Sequence, residues 1–174
     1  MPAQSTSRKE IETMATPGQK ITPFLWFDTQ AEEAANFYTS IFKDSKILDI
    51  TRYGDLGPGP KGSVMTASFQ LNGQTFVALN GGPLFNFTQA VSFVVNCDSQ
   101  QEVDYFWDKL SEGGQIQQCG WLKDKYGLSW QIVPIEMITL LQDSDAVKSQ
   151  RVFGALMQMT KIDLLKLREA HDQQ

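Results

Sequence analysis

Histidine is nearly missing from this sequence: among 174 residues there is one, His171, close to the last residue. A site that grips a first-row metal through imidazole, or a Ser/Cys–His nucleophile pair, therefore has no histidine at its centre, and the usual general base is missing with it. His171 itself reads as a solvated tail residue, because order is weakest at chain ends. Cysteine is equally scarce. Cys97 and Cys119 show neither CxxC nor Cys/His spacing, which excludes a disulfide framework, argues against structural zinc and fits a reducing compartment. No stretch approaches the roughly 20 apolar residues of a membrane span. Residues 1–18, MPAQSTSRKEIETMATPG, are polar and of mixed charge. They carry no signal-peptide core and are expected to be poorly ordered, so a cytoplasmic protein with no membrane partner is expected. Basic charge is also short, 15 Lys and Arg against 20 Asp and Glu for a net charge of -5. The basic residues do not cluster, so nucleic acid is not an expected partner.

Hydrophobic patterning is what the chain does have. Ile21, Phe24, Leu25, Trp26 and Phe27 form a run of strand length that meets Asp28 and Thr29 at once. Thr29 and Glu32 have capping-box spacing, with Asp28 as a further cap or turn residue, and Ala31, Ala34, Ala35, Phe37, Tyr38, Ile41 and Phe42 recur at three- and four-residue intervals. The spacing predicts a helix near 30–42. Ile47 to Tyr53 reads as a second strand, and the glycines and prolines of Gly54 to Gly62 as a mobile surface loop. Val64 to Leu71 and Thr75 to Leu79 are strand-like runs joined through Asn72-Gly73, the dipeptide that best supplies two positive φ angles in a tight hairpin.

The order β, α, β, β, β then begins again. Val91 to Val95 is strand-like, Ser99 with Glu102 repeats the capping box, and a shift of 69 residues carries Ala34, Phe37, Tyr38 and Ile41 onto Val103, Phe106, Trp107 and Leu110, and Phe24 onto Phe93. Two copies of this length are a duplicated half-domain rather than a solenoid, and they imply a shared cleft. The second copy looks shortened, with strands at about 117–122 and 128–133 around the turn Lys125-Tyr126-Gly127. Beyond Pro134 the pattern is helical: Ile135 to Leu141, then, past Ser144 and Asp145, a second helix with Val147, Val152, Leu156, Met159, Ile162 and Leu165 as its apolar positions. The expected division is 1–18, a domain over 19–134 with halves at about 19–83 and 89–134, and a helical tail over 135–174.

The opening FLWFDTQAEEAANFYTSIF and the closing LKDKYGLSWQIV resemble the ends of vicinal-oxygen-chelate modules, the glyoxalase/bleomycin-resistance/dioxygenase superfamily. With RYGDLGPGPKGSVMTASFQLNGQTFVALNGGP, VSFVVNC and CGWLKDKYGLSWQIVP, the chain is similar to that superfamily's PhnB-like branch over about 19–134, the tail to about 165 also being family-like. The resemblance implies an α+β fold of paired βαβββ modules forming a glyoxalase-like half-barrel with C-terminal helices, and a homodimer. Branch members are often labelled demethylubiquinone 3-methyltransferase domains. Common methyltransferases need a glycine-rich turn that opens a helix, whereas Gly54, Gly57, Gly59 and Gly62 stand between two β segments and read as a surface loop.

In superfamily metalloenzymes four ligands come from the first and last strand of each half. The resemblance places them near Ile21, Ala78, Ser92 and Gln131, a set that lacks the imidazole and carboxylate such ions want, so neither metal nor cofactor is expected. Alternate residues of the inner strands are expected to line the cleft. Phe24, Trp26, Phe69, Phe76, Trp121 and Trp130 each read singly as core, yet as a group they suit a flat apolar ligand. Arg52, Asn80, Lys123 and Gln131 would orient it, Gln131 from the ligand position of the last strand and Asn80 otherwise a turn residue. Cys119, without a histidine, reads as an inert half-buried thiol.

Three readings follow. The first is a metal-free protein binding a small molecule of unknown identity. The second is an enzyme of the same fold, either methyl-transferring or a metal-free lyase or isomerase using Lys123 or a carboxylate. The third is a dimerisation module in which Val152, Leu156 and Met159 pack on a partner chain.

Overall fold

The computed structural model describes residues 19–173; the expectation for residues 1–18 falls outside them. The chain divides into two compact units, one ending at Asn86 and the other beginning at Phe87. In the first unit the expected order appears as β1 (Phe24–Phe27), α1 (Ala31–Ile41), β2 (Lys46–Arg52), β3 (Val64–Leu71) and β4 (Gln74–Asn80). The sheet runs β1-β4-β3-β2, with β1 parallel to β4 and the other pairs antiparallel. Asn72 (φ 45°) and Gly73 (φ 85°) make the β3–β4 turn, both in the left-handed region that this hairpin geometry demands.

Strand alternation and the helix stripe together place the core. Leu25, Ala67 and Ala78 share one row of the sheet and Phe69 pairs with Phe76. Tyr38 of α1 stacks on Phe69 at 6.0 Å and Phe69 on Phe76 at 5.5 Å, so α1 covers this face. The helix starts differently from its expected capping box. Its N-cap is Gln30, with no side-chain cap bond, and the Ala31 N–H instead donates to Asn80 Oδ1 at 2.7 Å. A long-range acceptor at the end of β4 thus does what Thr29 and Glu32 were expected to do. The glycine-rich loop is also less free than its composition suggests: a side chain at Gly57 or Gly59 would collide with the buried Tyr53 ring, and Tyr53 exchanges backbone hydrogen bonds with Gly62 and Ser63.

The second unit repeats the module as β5 (Ser92–Cys97), α2 (Gln100–Ser111), β6 (Gln115–Ile116), β7 (Trp121–Lys123) and β8 (Ser129–Pro134), in sheet order β5-β8-β7-β6. Here the capping box forms: Ser99 Oγ accepts from Glu102 N–H, and the Glu102 carboxylate accepts from Asp98 N–H. The expected strand at 117–122 is broken, because Gln117 to Gly120 turn sharply, with Cys119 at φ 59° and Gly120 at φ 80°. Helix positions follow the shift of 69: Ala34, Tyr38 and Ile41 are buried, as are Val103, Trp107 and Leu110. The first strands do not. Leu25 and Phe27 are the buried residues of β1, Val95 and Cys97 those of β5, so the strands correspond at a shift of 70, one residue being lost between strand and helix in the second copy.

Three helices rather than two follow: α3 (Ile135–Leu141), α4 (Ala146–Leu156, capped by Asp145) and α5 (Leu164–Asp172, capped by Asp163). Met159 and Ile162 lie in the α4–α5 connection, and with Val133, Met137, Val152, Leu156 and Leu167 they form a core inside the second unit. Val152, Leu156 and Met159 are therefore buried within the chain itself, which removes them from the expected dimer contact. Val147 and Leu165, expected on the apolar face, are exposed. Gln100 ties the connection to α2, donating to Ile162 O and accepting from Leu164 N–H.

Gly120 is the tightest point of this packing. At φ +80° an added Cβ would stand 2.7 Å from Ile162 Cδ1 and 2.8 Å from Ile132 O. Gly120→Ala is expected to lower unfolding stability by roughly 2–4 kcal/mol, from left-handed strain plus overpacking. Gly54→Ala, where nothing lies within 4 Å, should change it by less than about 0.5 kcal/mol. Urea unfolding of both variants checks this, and equal effects would contradict it.

Candidate functional site

Successive residues of a strand face opposite ways, so β7 and β8 sort the expected site residues into two sets. Leu122, Trp130 and Ile132 are buried with Val95 and Cys97 on the face that α2 covers. The other face carries Trp121 opposite Gln131, with Val94 beyond, and next to that row Lys123 opposite Ser129 opposite Ser92. Gln131 Nε2 donates to Ser92 Oγ at 2.9 Å. Ser129 is fully buried, and its Oγ has no hydrogen-bond partner among the described residues. An unpaired buried hydroxyl costs about 1–3 kcal/mol of desolvation, and native proteins keep few of them. Trp121, Lys123 and Gln131 are thus brought together, with two serines beside them. Ser129 carries no sequence signal of its own; only the register of β8 against β5 and β7 reveals it.

Trp130 does not belong to this face. It is adjacent to Gln131 in one strand and so points the other way, its ring 5.6 Å from Phe93 and its indole N–H donating to Asp124 Oδ2 at 2.8 Å. The second Asp124 oxygen accepts from the Tyr126 and Leu128 N–H groups. The aspartate-x-x-glycine motif is accordingly a structural turn, completed by Gly127 at φ 86°.

In the first unit the same alternation separates Phe24 and Trp26 from Phe69 and Phe76. Phe69 is fully buried under α1 and presents nothing to a ligand. Asn80 faces α1 too. Its amide is committed at both ends, to Ala31 N–H and to Val64 O, while its backbone carbonyl accepts from Tyr53 OH. Trp26 stands half-buried on the other face, its indole N–H given to Gly82 O and its ring met edge-on by Phe85 at 5.0 Å. Phe24 is exposed. Arg52 is exposed at the end of β2 and donates to Gly62 O. Thr51 and Thr66 share a hydroxyl hydrogen bond of 2.6 Å.

The four positions of a superfamily metal do not fit an ion. Ile21 is exposed, Ala78 faces α1, and Ser92 and Gln131 bond to each other. No cluster of three or more His, Cys, Asp or Glu suited to a metal occurs among the described residues. A methyl-donor turn fits no better: Gly57 and Gly59 press on the Tyr53 ring, and strand β3 follows them rather than a helix. Cys97 is unsuited to nucleophilic work, since burial, then the Glu102 and Asp98 charges, push its thiol up to about 12. Cys119 stays a free thiol, its Sγ 3.7 Å from Leu156 O.

His171 departs from the tail residue expected of it. Its side chain is only 14% exposed and sits between two carboxylates, Asp143 and Asp172, each at 2.8 Å. The hydrogen bonds to Asp172 and then Asp143 raise its pKa. The Asp145 backbone N–H and then His171 lower that of Asp143, and His171 lowers that of Asp172.

A family model described as 3-demethylubiquinone-9 3-methyltransferase matches residues 19–133. Among solved structures, the PhnB protein of Bacillus cereus, named for the same methyltransferase, is 44% identical over 67% of this chain and 99% of its own, with a TM-score of 0.62. Protein PA1353 from Pseudomonas aeruginosa is 22% identical over 67% of this chain and 98% of its own, with a TM-score of 0.57, which shows the fold alone. No curated protein matches the sequence. The family match covers residues up to Val133, and α3 to α5 lie beyond it. No helix among the described residues is long and apolar enough to cross a membrane.

The His171 cluster makes stability depend on pH. Its raised pKa means that its contribution is full below 6.5 and is lost as pH rises through the raised value. The lowered carboxylates contribute above 3.8 and lose that as pH falls through their own values. Urea unfolding of the protein and of His171→Gln should differ most at about pH 5–6, and the difference should shrink as pH rises above 6.5. A difference that stays constant with pH would contradict the assignment.

Proposed function

The chain belongs to the 3-demethylubiquinone-9 3-methyltransferase family, of PhnB-like type, and from that premise we propose that it is a metal-free small-molecule binding protein whose ligand meets Trp121, Lys123 and Gln131. The observation that carries this reading is the buried, unpartnered Ser129 hydroxyl beside them. Native proteins keep few buried hydroxyls without a partner, so such a group marks a place kept for something other than folding, and a few placed polar groups next to an aromatic wall are how small-molecule sites fix orientation. Trp121 is the wall and the Gln131 amide the orienting group. Phe69 and Trp130 take no part in the site, because both lie in their units' cores.

The side chains at the four ligand positions support a site that works without an ion, and the commitment of the glycine-rich loop to Tyr53 tells against methyl transfer by the common route. Two measurements test this together. Overnight dialysis of the purified protein against a chelator should leave its melting temperature unchanged, and titration with S-adenosylmethionine should give no saturable heat. A metabolite screen should contain compounds that stabilise the fold; a ligand at 100 times its Kd adds about 2.7 kcal/mol, a gain that Gln131→Ala should diminish. Stoichiometric metal that resists dialysis, or saturable binding of the methyl donor, would overturn the proposal.

A further inference from the structure

We propose that the ligand presents a carboxylate to the second sheet, held by the Lys123 ammonium and the hydroxyls of Ser129 and Ser92. This rests on the binding reading above and deepens it by naming the chemical class. Lys123, Ser129 and Ser92 are Cα partners across the adjacent strands β7, β8 and β5. Neighbouring members of the row stand about 5 Å apart on one face, and Lys123 and Ser92, two strands apart, about 10 Å, a span that the long lysine side chain helps to bridge.

What this row offers is almost entirely hydrogen-bond donors. The Lys123 ammonium is half-buried and forms no ion pair among the described residues. Ser129 Oγ is buried and unpaired. Ser92 Oγ already accepts from Gln131 Nε2, so its own proton is free to be donated outward. No carboxylate of the chain stands in this row or the next, whose other members are Gln115, Val94, Gln131 and Trp121. The acidic net charge of -5 is therefore not expressed here, and a lone cation remains among neutral donors. Such a set matches an acceptor-only group of single negative charge, through charge-assisted hydrogen bonds about twice as strong as neutral ones. A dianionic phosphate would leave one charge unbalanced. Trp121, next to Lys123's neighbour in the same strand, lies in the Gln131 row and provides a flat surface for the body of the molecule, which favours a planar aromatic or conjugated acid.

The test is an amide NMR titration of the full chain with benzoate, its neutral isostere benzamide, and inorganic phosphate. Benzoate should shift the Lys123, Ser129 and Gln131 amides saturably, with benzamide at least about tenfold weaker and phosphate weaker than benzoate. Lys123→Met should weaken benzoate by about tenfold or more while the rest of the spectrum stays native, and Lys123→Arg should retain most of the affinity. Benzamide binding as tightly at those amides would keep the site and overturn the carboxylate. Phosphate binding more tightly than benzoate would overturn the assigned class. Absence of shifts at those amides with all three probes would overturn both this inference and the site itself.

Discussion

A strand cannot point two neighbouring residues the same way, and in this protein each four-stranded sheet buries one face under its own helix. That constraint decides which side chains are structural. Under α1 it places Leu25, Phe69, Phe76 and Ala78; under α2 it places Val95, Leu122, Trp130 and Ile132. Residues one position away face the opposite side of the sheet, where Val77, Ser68, Ser129 and Val133 are buried as well. On that side of the second sheet stand Trp121, Lys123, Ser129, Gln131 and Ser92, so the same alternation that builds the hydrophobic layer also gathers the polar row. Trp130 and Gln131 illustrate the division most sharply, for one closes the core against Asp124 while its neighbour bonds to Ser92 on the other side.

Much of this was legible in the sequence because it is local. The helix stripes, the Asn72-Gly73 hairpin, the Ser99 cap and the order of the two βαβββ copies follow from spacing that a few residues carry. The failures are equally physical. Asn80 rather than Thr29 caps α1, because a strand end forty-nine positions beyond Ala31 delivers an amide oxygen to the Ala31 N–H. No window of sequence contains that contact. The aromatic residues look alike in the sequence, yet Phe69 and Trp130 belong to core faces, which the pairing register discloses. His171 looks like a tail residue in the sequence for the same reason: Asp143 lies 28 residues away in the chain and 2.8 Å away in space.

The C-terminal helices are secured to the second unit by apolar and polar ties together. Their core grows from Val133 at the end of β8, Arg151 of α4 donates to the Ala170 and His171 carbonyls at the end of α5, and Arg168 pairs with Glu136 across α5 and α3. Each tie satisfies a helix terminus or pairs opposite charges, so the extension is held by polar contacts as well as by its apolar cluster. None of them uses the side chains of Trp121, Lys123 or Gln131, although the turn before Trp121 is tied to the α4–α5 connection through Cys119 N–H to Met159 O and Gly120 N–H to Thr160 O.

An unpaired buried hydroxyl is tolerated where it serves something other than folding, and sites retained for function commonly sacrifice stability. Ser129 is the residue on which that view of the second sheet stands. The most direct measurement is the unfolding free energy of Ser129→Ala in the absence of any ligand. The account predicts a variant as stable as the parent or more so, since no hydrogen bond is lost and a desolvated polar atom is removed. A loss of about 1 kcal/mol or more, the ordinary worth of a made hydrogen bond, would show that Ser129 is a structural residue and contradict the account.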